Sequence, residues 1–259
     1  MELISSLQNQ KIKDLVTLET KSRERRMRGI FAVEGRREVE RALTCGFQAI
    51  EIYCTDGSGI PQNTECPVYG VTDKVYAKIA YREGTEGVIA VMKEKKTVPE
   101  DLSLTAGSLV LVLESVEKPG NLGAVLRSAD AAGVDAVFIC DPLTDLYNPN
   151  LIRASLGAIF SVSTVCCSSQ EAFSVIKSAG LRILTAQLQD SELYYDTDMT
   201  CGTAIVFGTE DKGLTDFWRE RSDAKIRIPM TGLMDSLNVS VSAAILCFEA
   251  VRQRNTAAK

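Results

Sequence analysis

The sequence predicts an α/β protein in two parts: a C-terminal domain built on a parallel sheet and a smaller N-terminal α/β domain. Three observations carry this. From Ser108 onward, short apolar runs alternate with helical patterns, as in strands joined by crossover helices. The first run, "SLVLVLE", is apolar without alternation, as expected of a parallel strand covered on both faces. Just before it, residues 94–106, "EKKTVPEDLSLTA", are charged and carry Pro99, which reads as a linker. The chain therefore divides into 1–93, the linker 94–106, and 107–259.

In order, the N-terminal part should hold a charged helix from about Asn9 to Arg28, a short strand "FAV", and a helix "GRREVERALTCG" ending at Gly46. Strands "AIEIYCT", "PVYGVT" and "GVIAVMK" follow, with a helix "DKVYAKIA" capped by Asp73 before the last. After "SLVLVLE" come a helix over about Asn121–Ala132, strand "AVFIC", a helix around Leu151–Phe160, strand "VSTVC", and helix "SQEAFSVIKSAG". Strands "RILTAQ", "GTAIVFG" and "KIRIPM" precede a last helix. In that helix Val241, Ala244, Ile245, Phe248 and Val251 recur at helical spacing and predict a buried face.

Composition removes several chemistries. The 259-residue chain contains no histidine, which excludes Ser-His-Asp triads, Cys-His pairs and histidine-bearing zinc sites. Its eight cysteines form no C-x-x-C pair and sit partly in apolar runs, the pattern of reduced, buried thiols. No apolar run approaches the ~20 residues of a membrane span, and the first residues lack a signal-peptide core. The expected compartment is the cytoplasm. Net charge is -5, yet residues 21–41 hold Lys21, Arg23, Arg25, Arg26, Arg28, Arg36, Arg37 and Arg41 against four glutamates. This stretch reads equally as a phosphate-tracking surface, with Arg25, Arg26, Arg28, Arg36 and Arg37 as RNA contacts, or as a solvated helix face with Glu-Arg pairs.

Ligands of open α/β sheets bind beyond the carboxyl ends of the strands. Unusual loops follow four of them: "SVEKPGNLGAVLRSADAAG", "TAQLQD", "TEDKGL" and "MTGLMDSLN". None contains G-x-G-x-x-G or G-x-x-x-x-G-K-[ST], so a standard dinucleotide site or P-loop is not expected. Asn121 suits a helix cap. Arg127 is a lone cation on a small, apolar helix: an ion-paired residue, or a phosphate or ribose contact. Gly208 and Gly213 flank Glu210, and glycine lets backbone approach a ligand closely. Ser236 and Asn238 place polar groups where the last helix starts.

Taken together, "KPGNLGAVLRSADAAGVDAVFI", "VFGTEDKGL" and "IRIPMTGLMDSLNVSVSAAILCFEAVRQ" resemble, in order and spacing, the three motifs of the SpoU-type (TrmH-like) RNA ribose 2′-O-methyltransferases of the SPOUT superfamily. The resemblance covers residues 108–254. More loosely, "FAVEGRREVERAL" through "EGVIAVMK" resembles that family's substrate-binding domain. It implies a methyltransferase domain whose C-terminal segment threads into a trefoil knot, and a homodimer. It also implies S-adenosylmethionine as cofactor, bound by Thr185, Ala186, Gln187, Gly208, Gly213, Ile228, Met230 and Leu237. The implied substrate is rRNA or tRNA. Arg127 would serve the ribose as general base or as an electrostatic aid, with Asn121, Glu210, Ser236 and Asn238 holding Arg127 and the ribose in place. Chemistry favours the latter, because a guanidinium almost never gives up its proton. No metal is implied. Competing readings are an RNA-binding protein that keeps this fold without catalysis, and an enzyme for a small molecule.

Overall fold

In the computed structural model the described residues are 1–62, 64–81, 86–142 and 144–257. The chain forms two compact units. One comprises Met1–Lys96 with Asp145–Ser161, the other Thr97–Thr144 with Val162–Lys259.

The first unit holds β1 (Glu2–Ile4), α1 (Gln10–Thr20), α2 (Ser22–Arg28), β2 (Ile30–Glu34), α3 (Arg36–Thr44), β3 (Ala49–Cys54), β4 (Val68–Val71), α4 (Asp73–Ile79) and β5 (Val88–Lys93). The sheet order is β1-β4-β3-β5-β2, parallel on the β1-β4-β3 side and antiparallel where β5 meets β3 and β2. The single helix expected over Asn9–Arg28 is two helices, broken at Lys21, whose backbone is extended. The cap of α4 is Thr72, whose hydroxyl accepts from the Val75 amide, and Asp73 lies inside the first turn. Strand β1 was not anticipated; three residues are too few for a period to register.

The region 145–161 departs from the expected boundary. It forms α6 (Pro149–Ser155) and α7 (Ala158–Ser161), and both belong to the first unit. Tyr147 stacks on Phe31 at 4.0 Å between ring centroids, and Phe160 meets Phe47 edge-on at 5.0 Å. Arg41 donates to the Leu156 carbonyl at 2.9 Å. Periodicity shows that a helix buries one face. It does not show which sheet takes that face.

The second unit opens with a 3-10 turn at Pro99–Asp101 inside the expected linker; Leu102 and Leu104 pack on the unit's core. Its elements are β6 (Leu109–Glu114), α5 (Pro119–Ala132), β7 (Ala136–Cys140), β8 (Thr164–Cys167), α8 (Ser169–Ser178), β9 (Arg182–Ala186), β10 (Glu192–Leu193), β11 (Thr203–Phe207), α9 (Asp216–Arg221), β12 (Ala224–Arg227) and α10 (Val239–Ala257). The seven strands run in the order β10-β12-β9-β11-β6-β7-β8, all parallel. Every residue of β6, β7 and β11 is buried, as unbroken apolar runs require. Val110, Val112, Phe138, Ile183 and Val206 form one core face with Ile176 of α8 and Trp218 of α9. Helix α10 lies along α5 and over β6 and β11. Arg254 fixes its far end by donating to the carbonyls of Met199, Cys201, Gly107 and Ser108.

The buried stripe of α10 is not the expected one. Val239, Ala243, Leu246, Cys247 and Ala250 face the unit, whereas Val241 and Phe248 are 45% and 47% exposed. The helix is apolar on two sides, so the i, i+3, i+4, i+7 pattern alone did not identify the inner one.

Candidate active site

Three loops at the carboxyl ends of β6, β11 and β12 build the site. The first is fixed at its root by Glu114, the buried last residue of β6. Its carboxylate accepts from the Thr215 amide at 2.8 Å and the Thr215 hydroxyl at 2.6 Å, tying the first loop to the second. Helix α5 then starts with Pro119 at its first position, where a missing N–H costs nothing. Asn121 is thus inside the first turn, not the cap, and its side chain is free to reach another loop.

The second loop, after β11, closes on itself. Thr209 and Gly213 exchange backbone hydrogen bonds at 3.1 and 3.0 Å, so Glu210, Asp211 and Lys212 form a tight excursion. Gly213 holds φ of 67°, where glycine is favoured. Gly208 has no room for a side chain. A Cβ there would lie 2.2–2.4 Å from backbone atoms of Gly213 and Leu214.

The third loop runs exposed from Thr231 to Asn238 and enters α10. Asn238 does two things at that entrance. Its Oδ1 accepts from the Ser240 amide at 3.0 Å and the Ser240 hydroxyl at 2.6 Å, the local bonding that favours such residues at helix starts. Its Nδ2 donates to Glu210 Oε1 at 2.7 Å and to Asn121 Oδ1 at 3.2 Å.

Glu210 is the hub. It accepts from Asn121 Nδ2 at 2.9 Å and pairs with Lys118 Nζ at 2.5 Å through its other oxygen. Residues 121, 210 and 238, far apart in sequence, are thereby one bonded cluster. The Lys118 ammonium, then the Asn121 amide, hold the Glu210 carboxyl below the usual carboxylate range, and Glu210 raises Lys118 in return. Asp211 is also lowered, first by the Thr209 hydroxyl.

Beside the cluster lies a cleft of roughly 310 Å³. Ala186, Gln187, Gly208, Gly213, Ile228, Met230 and Leu237 line it, together with Glu210 and Ser236. Thr185 does not. It is wholly buried between β11 and β12, because the side chain before Ala186 falls on the inner face of the strand. On the other side of Glu210 a second hollow of roughly 230 Å³ is lined by Ser115, Lys118, Asn121 and Val239. Gly208, Thr209, Glu210, Asp211 and Val239 border both.

Arg127 stands apart: the expectation that Asn121, Glu210, Ser236 and Asn238 hold it is not met, because those that bond do so to one another and to Lys118. It is exposed and makes no hydrogen bond or ion pair among the described residues. Six residues beyond Asn121 along α5, it is about 9 Å further down the axis and well round the helix.

Among the expected RNA contacts, Arg25 is excluded by its surroundings. It is 4% exposed. Its Nε pairs with Asp145 at 2.6 Å, and its Nη1 donates to the carbonyls of Leu18 and Glu19. Arg36 is half-buried, bonded to Glu40 and the Ser58 carbonyl. Arg26, Arg28 and Arg37 are exposed.

The cleft suits S-adenosylmethionine. Glycine backbone and apolar walls offer a surface for adenine. Two residues lining it, Gln187 and Arg219, each carry a buried polar atom, Oε1 and Nε, with no partner among the described residues, a need that a polar occupant would meet. Sequence reasoning missed Lys118, Glu114 and Arg219. Lys118 opens the first motif as quoted above and was open to notice. Glu114 and Arg219 carry no signal until the loops are folded.

Parallel strands ending on glycine-bordered loops, with a cleft beside a carboxylate-amide cluster, give an α/β protein with a site at the carboxyl ends of its strands. The particular kin follow from comparison. The profile of the SpoU rRNA Methylase family matches residues 108–248, and that of the MRM3-like substrate binding domain matches residues 9–90. The chain belongs to the SpoU rRNA methylase family. It is 32% identical to the 23S rRNA (guanosine(2553)-2′-O)-methyltransferase RlmP of Bacillus subtilis, over 96% of this chain and 98% of that protein. It is 35% identical to the 23S rRNA (guanosine-2′-O-)-methyltransferase RlmB of Escherichia coli, over 66% and 72%. Among solved structures, an AdoMet-bound rRNA methyltransferase from Sinorhizobium meliloti superposes with a TM-score of 0.89 at 26% identity, covering 97% of each chain. A crystal structure of an RNA 2′-O ribose methyltransferase gives 0.85 at 38% identity, covering 98% and 99%.

Proposed function

We propose that this chain methylates the 2′-hydroxyl of a guanosine ribose in 23S rRNA. The broader statement is that it is an S-adenosylmethionine-dependent RNA ribose 2′-O-methyltransferase. One observation carries the reading: Asn121, Glu210 and Asn238, from three loops, are bonded into one cluster between the cleft and a second hollow.

When bound in the cleft, the cofactor supplies the activated methyl group. The protein's task is to orient the acceptor hydroxyl and steady the charge that grows on its oxygen. In this reading the hollow holds the acceptor nucleotide. Lys118 faces the adjacent phosphate, Glu210 keeps the two asparagine amides aligned, and Ser236 borders the cleft near the ribose. Loop threading into a trefoil knot belongs to this reading. So does action in the cytoplasm; no helix among the described residues is long and apolar enough to cross a membrane.

The homodimer gives two loose features a place. Val241, Ala244, Ile245 and Phe248 form an outward stripe on α10, with Val241 and Phe248 nearly half exposed. An apolar stripe of this kind marks an interaction surface. A second copy packed there would cover it. Arg127, remote from its own cluster, would then serve the partner's site. RNA is gripped through Arg26, Arg28 and Arg37.

The experiment is transfer of labelled methyl from S-adenosylmethionine to unmodified 23S rRNA, with the product nucleotide mapped. A single 2′-O-methylguanosine supports the proposal. Label confined to tRNA, or to a base, refutes it. Sedimentation tests the dimer: Phe248→Glu should give monomers that lose transfer.

A further inference from the structure

We propose that Arg219 and Gln187 hold the amino-acid end of S-adenosylmethionine, Arg219 taking the carboxylate and Gln187 the α-ammonium. The proposal rests on the reading of the cleft as the cofactor's.

Arg219 sits on α9 and lines the cleft. Its Nε is buried with no acceptor. Among the described residues its side chain makes one hydrogen bond, a long one of 3.4 Å from Nη2 to Gln189 Oε1. It forms no ion pair with any acid among the described residues. A guanidinium left this way is costly unless something completes it, and its planar fork matches a carboxylate.

Gln187 presents the opposite need. Its Nε2 donates to the Gln189 carbonyl at 2.9 Å, which fixes the orientation of an amide whose residue lines the cleft. The amide Oε1 is buried and unpaired. Gln189 touches both residues, so an unmet donor and an unmet acceptor lie around one short stretch of chain. A zwitterion meets both demands at once. The ribose diol is the competing partner, but its hydroxyls leave the arginine charge uncompensated, and a charged acceptor makes a hydrogen bond about twice as strong. Of the other charged residues lining the cleft, Glu210, Asp211 and Asp235 outnumber Lys212 and Arg227, and the excess of carboxylates favours the sulfonium.

The test is calorimetric binding to the purified full-length protein. S-adenosylhomocysteine carries the amino-acid end. 5′-Methylthioadenosine keeps the adenosine and thioether but lacks that end. In the wild type the first should bind more tightly. Arg219→Met should weaken S-adenosylhomocysteine by about 10- to 100-fold and leave methylthioadenosine within about twofold, as one charge-assisted contact dictates. Gln187→Leu should act the same way but less strongly. Equal losses for both ligands would assign Arg219 to the adenosine or to the loop and overturn the proposal. So would no loss for either. If the variant does not fold, the wild type still decides: an S-adenosylmethionine analogue lacking only the carboxylate must bind at least about tenfold more weakly than the parent. Equal binding overturns the proposal. Failure of the wild type to bind either adenosine compound would instead remove the cofactor reading itself.

Discussion

Gly208→Ala is a single methyl whose consequences are worked directly from the coordinates. The new carbon would lie 2.2 Å from the Gly213 carbonyl carbon, 2.3 Å from its oxygen and 2.4 Å from the Leu214 nitrogen. All three are backbone atoms, so no side chain can swing away. Relief requires a shift of about 1 Å in the 209–214 turn, which strains the two backbone bonds between Thr209 and Gly213 and the bonds of Glu210 to Lys118, Asn121 and Asn238. Overpacking of this kind costs about 1–3 kcal/mol, and loosening a backbone bond adds about 1 kcal/mol. The total of about 2–4 kcal/mol corresponds to a melting shift of roughly 5–15 °C for a domain of this size. The same shift carries Glu210 away from Asn121 and Asn238, so cofactor binding and methyl transfer fall together. Gly213→Ala is the control. Its Cβ meets nothing closer than 3.7 Å, so only the strain of φ at 67° remains, worth about 1–2 kcal/mol. Thermal melts with calorimetric titration of S-adenosylmethionine read both variants. If Gly208→Ala melts and binds as wild type, or if Gly213→Ala is the more damaging, the steric reasoning fails.

Arg127→Ala should bind the cofactor normally yet lose methyl transfer by about 10²–10³. Arg127→Lys should stay poor at every pH, because positioning needs the planar fork; a rate climbing to wild type near pH ~10 would instead favour a base. Charge reversal at Arg26, Arg28 and Arg37 should weaken RNA binding and flatten its salt dependence with stability unchanged. Arg25→Ala should do the reverse, costing about 3–5 kcal/mol of stability by stranding Asp145, as urea titration would show. Glu210 titrates below its ordinary value of 4.5 because of Lys118. Its ionised form is therefore favoured by folding: that contribution is full above pH 4.5 and fades as pH falls through the lowered folded value. Melts of wild type and Glu210→Gln should converge at acid pH, and curves that stay parallel down to about pH 2 would count against the ion pair.

Much of this was written in the chain. Unbroken apolar runs such as "LVLVLE" and "AIVFG" could only be strands of a buried parallel sheet, because hydrophobic burial on both faces leaves no polar alternation. The three loop motifs announced a ribose methyltransferase and marked Asn121, Glu210 and Asn238, but that the three bond to one another, away from Arg127, came only from the fold. Local pattern failed wherever the partner surface mattered. Arg25 looked like its exposed neighbours, yet Asp145, 120 residues away, buries it. The helices over 149–161 read as a crossover of the second sheet and pack in the first unit. Both faces of α10 are apolar, so only packing showed that Val239, Ala243 and Leu246 go inward while Val241 and Phe248 stay out. Thr185 and Arg219 exchanged expectations for the same reason. A motif position says which loop a residue belongs to, whereas the strand's pleat and the helix docked beside it decide which side chain turns into the cleft.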